Sequence, residues 1–293
     1  MIHPIPPGSR DVLPEEMREL RRLNLALIEV FEARGYGEVA TPTIEYDEVM
    51  ARGDGRASGA YRFFDESGEL LALRSDMTVP IARLVASRFA DAEMPLRLCY
   101  LASTYRAVTP QRGQLREVVQ AGIELIGATA PEGTAEVIEV LEAALDAAGL
   151  DRAVIGLGDS DLYRQLLTEY GVEGEARESL LAKLARHDLV GLEVELGEAG
   201  IGEERVATCV ALSQLRGGAE VLDQAREIGG TAVERAVAGL GETYEALDRI
   251  GAADRVRIDM GLLRDLGYYS GAILEVYTRR SATCSAAAAA TTG

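Results

Sequence analysis

The sequence predicts an α+β fold, an antiparallel sheet flanked by helices, with a helical insertion late in the chain. Three observations predict it. Arg97–Gly127 reads as two strands joined by a loop, because Leu98–Arg106 is rich in strand formers and Thr109-Pro110-Gln111-Arg112-Gly113 supplies turn chemistry. Apolar residues recur at helical spacing on either side of that pair, over Pro14–Arg34 and Pro131–Ala148. From about Asp159 to Gly251 the pattern is almost wholly helical, after which Arg255–Met260 alternates with a period of two.

In chain order, Gly8-Ser9-Arg10-Asp11-Val12-Leu13-Pro14 leads into the first helix. Its Met17, Leu20, Leu23, Leu27 and Phe31 share a stripe, and Gly35 stops it. Tyr36–Pro42 is a short strand ended by its proline. Tyr61–Leu73 is a hairpin turned by Asp65-Glu66-Ser67-Gly68, and Leu73-Arg74-Ser75-Asp76-Met77-Thr78 runs into a helix from about Val79 to Ala90. Within Pro131–Ala148 the stripe is Val137, Val140, Leu141, Ala144 and Leu145, with Gly149 beyond it. Ala153–Gly158 is a short buried strand. The long helical stretch is jointed at Gly217-Gly218 and Gly229-Gly230 and holds no chemical constellation. In Arg255–Met260, Val256, Ile258 and Met260 take one face, Arg257 and Asp259 the other.

The return strand of the central pair carries the most chemistry. Its period puts Arg116, Val118, Gln120, Gly122 and Glu124 on one face, and Leu115, Val119, Ala121, Ile123 and Leu125 on the other, with Glu117 the charged exception. The second set is a core face. The first is what a solvated sheet face carries and also what a polar binding face carries, and the pattern leaves both readings open.

Composition narrows the class. The chain has 293 residues, 47% hydrophobic, enough for one large domain or two ordinary ones. Its formal charge of −18 argues against a main role in gripping nucleic-acid phosphates. Cys99, Cys209 and Cys284 are scattered and the histidines are His3 and His187 alone, so neither a disulfide framework nor a metal site is suggested. The start lacks the basic end and apolar run of a signal peptide, and no apolar stretch reaches the roughly 20 residues of a membrane span. A soluble cytoplasmic protein is the plain reading.

The central stretch resembles motif 2 of class II aminoacyl-tRNA synthetases, in the form found in histidyl-tRNA synthetases and their paralogues. Arg106, Pro110-Gln111-Arg112-Gly113, Arg116-Glu117, Gln120, Gly122 and Glu124 carry the likeness. The first helix and its Pro-ended strand resemble motif 1, which implies dimerisation through that region. Leu263-Arg264-Asp265-Leu266-Gly267-Tyr268-Tyr269 resembles the histidine-specific Arg-Gly-Leu-Asp-Tyr-Tyr, with Asp265 and Gly267 exchanged for the family's Gly and Asp. The resemblance implies a histidine site. Asp76 and Thr78 match residues that hold the α-amino group, while Arg106, Gln120 and Glu124 line the sheet. Arg264 matches an arginine that stabilises charge during activation, and Tyr268 and Tyr269 match the imidazole pocket. Taken without the resemblance, Asp76 and Thr78 are ordinary caps just before a helix, and a tandem Tyr is ordinary packing.

The departures favour one branch. Val108 stands where the synthetases carry a Glu that accepts a hydrogen bond from adenine, a loss costing roughly 1–3 kcal/mol, and Thr109 replaces an Arg. Leu73-Arg74-Ser75-Asp76-Met77-Thr78 is nearer the Leu-Arg-Pro-Asp-Met-Thr of ATP phosphoribosyltransferase regulatory subunits than the Leu-Arg-Pro-Glu-Gly-Thr of the synthetases. The resemblance then implies a non-catalytic regulatory subunit at the first step of histidine biosynthesis. Its partners would be a short-form catalytic subunit and a second copy of itself, with L-histidine as effector and no cofactor, metal or tRNA. The alternative is histidyl-tRNA synthetase, activating histidine with ATP.

The sequence divides into a core at 1–158, a helical insertion at 159–251, a return to the core at 252–278 and an aberrant tail at 279–293. One lysine among 30 basic residues points to GC-rich coding. In such DNA, GGC-GGC-GGC-CGC-TAC-GAC-GGG encodes the family's motif 3, Gly-Gly-Gly-Arg-Tyr-Asp-Gly. Dropping one base reads Ala-Ala-Ala-Ala-Thr-Thr-Gly, which is Ala287–Gly293. The tail is expected to be a frameshift through motif 3, leaving the C-terminal part of the domain missing.

Overall fold

The computed structural model describes residues 5–54, 59–107, 114–263, 270–278 and 281–284. The chain forms two compact units, Met1–Ala128 with Ala143–Gly149, and Thr129–Glu142 with Leu150–Gly293.

The first unit runs α1 (Pro14–Glu32), β1 (Gly37–Glu38), β2 (Ile44–Tyr46), α2 (Asp47–Asp54), β3 (Arg62–Phe64), β4 (Leu70–Leu73), α3 (Thr78–Arg88), β5 (Leu96–Tyr105) and β6 (Glu117–Ile126). Helix α1 starts on Pro14, whose missing N–H costs nothing in a first turn, with Glu15 and Glu16 beside the positive helix end. Beyond it the chain reverses at Gly35, where φ is +82°. Strands β5 and β6 form the long antiparallel pair, with Gly122 opposite Tyr100, and β1 joins the far edge of β5 in parallel. This sheet is therefore mixed rather than wholly antiparallel. Strand β1 is also shorter than Tyr36–Pro42, for a local reason. The Arg74 guanidinium takes the carbonyls of Thr41 (2.7 Å) and Pro42 (3.4 Å), and Arg74 N–H takes that of Thr43. Those groups are then unavailable to a ladder.

A smaller antiparallel sheet has the order β2-β4-β3. Its turn is built as the sequence suggests, with Asp65 Oδ1 accepting from the N–H groups of Ser67 (2.8 Å) and Glu69 (2.9 Å). Helix α3 lays Met77, Ile81 and Val85 on Leu98, Tyr100, Ala102 and Ile126. These sheet residues share the face of Gln120 and Glu124, because directly opposed residues of an antiparallel pair point the same way. The other face, expected as core, is only partly covered, with Val119 and Ala121 exposed.

After α4 (Glu132–Ala147), within which the chain crosses between units, come β7 (Val154–Asp159), α5 (Leu162–Glu169), α6 (Gly174–Ala185), α7 (Leu189–Glu198) and α8 (Glu203–Gln214). They are followed by β8 (Arg216–Gly217), α9 (Glu220–Gly229), a 3-10 turn at Gly230–Val233, α10 (Glu234–Ile250), β9 (Val256–Asp259), β10 (Ala272–Thr278) and β11 (Ser281–Cys284). The sheet order is β11-β10-β7-β9-β8, with β7 parallel to β9. Central strand β7 buries Ile155 and Leu157 completely, and a Cβ at its Gly158 would lie 2.8 Å from the Asp259 carbonyl. The stretch read as almost wholly helical is so among its described residues, apart from the two-residue edge strand β8. Asp259, expected on the polar face of β9, is instead buried. Arg216 Nε pairs with its Oδ2 at 2.8 Å, Gly261 N–H donates to Oδ1 at 3.0 Å, and Tyr277 Oη approaches at 3.4 Å.

Among the described side chains, each unit holds one buried thiol, Cys99 and Cys209. Desolvation, aided at Cys99 by Glu38 and Glu32, pushes them up to about 11 and about 12.

Candidate functional site

Three of the expected residues meet where α3 begins against β6. Thr78, first residue of α3, donates its hydroxyl to Glu124 Oε1 at 2.9 Å. Asp76 lies just ahead of the helix. Its Oδ1 accepts from Val79 N–H at 3.1 Å and its Oδ2 from Ser75 Oγ at 3.4 Å, so it helps to start the helix while facing the Glu124 carboxyl. The ordinary capping role open to Asp76 in the sequence is therefore present in the fold.

Glu124 is partly exposed as a residue, yet its carboxyl is pushed up to about 7. Desolvation is the larger cause and the Asp76 charge adds to it, while the Thr78 hydrogen bond pulls the other way. Two carboxyls facing each other are chemistry suited to a cation, such as an ammonium or an imidazolium.

Gln120 stands on the same face, opposite Ala102. Glu124 is four positions further along the strand, a span of roughly 13 Å. Between them lies Gly122, and a Cβ there would sit 2.5 Å from Tyr100 Oη. The glycine is needed because the Tyr100 ring lies across it. The Gln120 amide makes no hydrogen bond to any described residue. Arg106 is exposed just past β5, and its Nε donates to the carbonyl of Ser75, next to Asp76, at 3.3 Å. Asp76, Thr78, Arg106, Gln120 and Glu124 are thus on one side of the β5–β6 pair. Arg264, Tyr268 and Tyr269 lie outside the described residues, as do Val108 and the turn Thr109–Gly113.

Two residues of this face went unread in the sequence. Tyr100 covers the glycine, and the strict alternation of β5 opposite Gly122 was the signal for it. Ser75 links Asp76 to Arg106 through one hydroxyl and one carbonyl, a role without a sequence signature. Among the described residues no three His, Cys, Asp or Glu side chains gather as a metal site. No helix among them is long and apolar enough to cross a membrane.

Residues 8–288 match the family model described as histidyl-tRNA synthetase. An ATP phosphoribosyltransferase regulatory subunit of Symbiobacterium thermophilum is 43% identical over 93% of this chain and 69% of its own length. One from Moorella thermoacetica is 40% identical over 93% and 71%. Among solved structures, an ATP phosphoribosyltransferase regulatory subunit/histidyl-tRNA synthetase from Bacillus halodurans superposes with a TM-score of 0.86 at 33% identity, covering 96% of this chain and 74% of the other. A histidyl-tRNA synthetase from Nostoc gives 0.80 at 22% identity over 94% and 65%, a likeness of fold alone.

Proposed function

The chain belongs to the histidyl-tRNA synthetase-like family of ATP phosphoribosyltransferase regulatory subunits, and from that premise we propose how it works. It is a non-catalytic regulatory subunit in histidine biosynthesis. It assembles in the cytoplasm with a short-form catalytic subunit, making a glycosyltransferase complex, and L-histidine is its effector. Histidine binds on the face formed by Asp76, Thr78, Arg106, Gln120 and Glu124. The two carboxyls take its cationic groups, and the Gln120 amide and Arg106 guanidinium take its carboxylate. Feedback follows if histidine binds two assembly states with different affinity.

The observation that most supports this reading is the Thr78 hydroxyl donating to Glu124 beside Asp76. In the sequence, Val108 stands where the synthetases that the chain resembles carry an adenine acceptor. Dimerisation through α1 is supported by the exposure of Met17, Leu23 and Leu25 in the helix and of Leu13 just before it.

The test is histidine-dependent ATP–pyrophosphate exchange, with a working histidyl-tRNA synthetase as positive control. No exchange is expected, and clear exchange would replace this reading with the synthetase one. In complex with the short-form catalytic subunit, Gln120→Ala should raise the histidine concentration needed for inhibition by about tenfold, the loss of one hydrogen bond to a charged group. Unchanged inhibition would remove Gln120 from the pocket.

A further inference from the structure

A second polar cluster lies at the other end of the same strand face. Arg116 precedes β6 by one residue, about 13 Å along the chain from Gln120 on the side away from Glu124. Its guanidinium lies over the Tyr61 ring, 5.9 Å from the centroid. Arg116 Nε and Tyr61 Oη are both buried, and neither has a hydrogen-bond partner. Buried donors are nearly always paired, so two orphans in one contact call for an explanation.

The backbone around them is fixed. Arg116 N–H donates to the Gly8 carbonyl at 2.8 Å, and a Cβ on Gly8 would press to 3.0 Å from Arg116 Cγ. Gly8 has φ +80°, so a bare residue crosses the arginine stem in a conformation that favours glycine. Arg106 N–H donates to the Arg116 carbonyl at 2.9 Å, and Ala107 N–H donates to the carbonyl of Gly59, two residues before Tyr61. The two side chains are therefore held together by the ends of three segments.

The charge balance points the same way. Arg74, bonded to the Ser103, Thr41 and Pro42 carbonyls and the Thr41 hydroxyl, has only neutral partners. Arg106 has the Ser75 carbonyl, and Arg116 has the Tyr61 ring. Among the described residues none of these three arginines pairs with a carboxylate, in a chain with 48 acidic residues against 30 basic ones. A local excess of cation with unfilled donors is the chemistry of an anion site.

We propose that Arg116 and Tyr61 form an oxyanion-binding subsite at the mouth of the β5–β6 pair, taking a phosphoryl or carboxylate group of a small ligand. Arg116 supplies charge and the Nε donor, Tyr61 supplies the hydroxyl, and Arg106 raises the local potential. The subsite does not depend on histidine being the effector, and it can stand if that reading fails.

The test is calorimetric titration of the full chain with inorganic phosphate, pyrophosphate and acetate at low, matched ionic strength. Saturable binding at one ion per chain is expected, tighter than about 10 mM. A preference for the phosphates assigns a phosphoryl ligand, and a preference for acetate a carboxylate. Arg116→Gln should weaken binding about tenfold through loss of the charge-assisted bond. Tyr61→Phe should weaken it about threefold while leaving the thermal midpoint of the ligand-free protein unchanged or higher, since an unpaired hydroxyl is removed. That second variant keeps the ring, so it guards against misreading a folding defect. No saturable binding of any of the three anions, or equal binding by wild type and both variants, overturns the proposal.

Discussion

A carboxyl moved from 4.5 to about 7 by desolvation and the neighbouring Asp76 holds its proton more tightly in the folded chain than in the unfolded one. Between those two values the native state binds more protons, so the Glu124 contribution to stability is greatest at low pH and is lost as pH rises through about 7. The whole shift corresponds to a loss on the order of 3 kcal/mol between about pH 4.5 and 8. Glu124→Gln should abolish that part of the pH dependence, leaving the variant more stable than wild type at pH 8, as read by urea denaturation across pH. Equal pH slopes in the two proteins would mean that the carboxyl is solvated. Glu124 and Gln120 were legible in the sequence because a period of two assigns faces without knowledge of the fold. What occupied that face was not legible. The bulk of Tyr100 over Gly122 depends on which β5 residue stands opposite, a matter of register that no single strand contains.

At the scale of elements, the same limit appears in β8 and β9. Alternation groups Val256 with Ile258, both buried, and sets Asp259 on the opposite face without revealing that it is buried too. Its burial depends on a partner 43 positions earlier in the chain (259 − 216), since Arg216 meets Asp259 where a two-residue strand pairs with β9. A strand of that length carries no periodicity. Arg216→Ala should destabilise the second unit by about 1–3 kcal/mol, reduced from a fully buried pair because Arg216 is half-exposed. Adding Asp259→Asn should recover much of that loss, and an additive penalty in the double variant would rule out this pairing. Helices α1, α3 and α4 were legible to within two residues at most ends, since each carries its own stripe and stop signal. Strand β1 was not, because a buried arginine from another segment takes the carbonyls its ladder would have used.

For the whole molecule, fold class was legible through motifs separated by long stretches of ordinary sequence, whereas the division into two units was not. The chain crosses between units three times around α4, before it, within it and after it, and the crossing inside the helix falls where the apolar stripe continues unbroken. The proposed self-association through α1, with its exposed Met17, Leu23 and Leu25, belongs to this scale too. Leu23→Glu should shift the protein from dimer to monomer in light scattering, and an unchanged mass would move the self-association surface elsewhere. The buried thiols give the two units separate voices. A thiolate-directed dye reacts with Cys99 or Cys209 only when the surrounding unit opens, since each sulfur is both covered and protonated at neutral pH. Labelling rates followed cysteine by cysteine therefore time the opening of each unit on its own clock, and a ligand held by one unit alone slows one rate and leaves the other running.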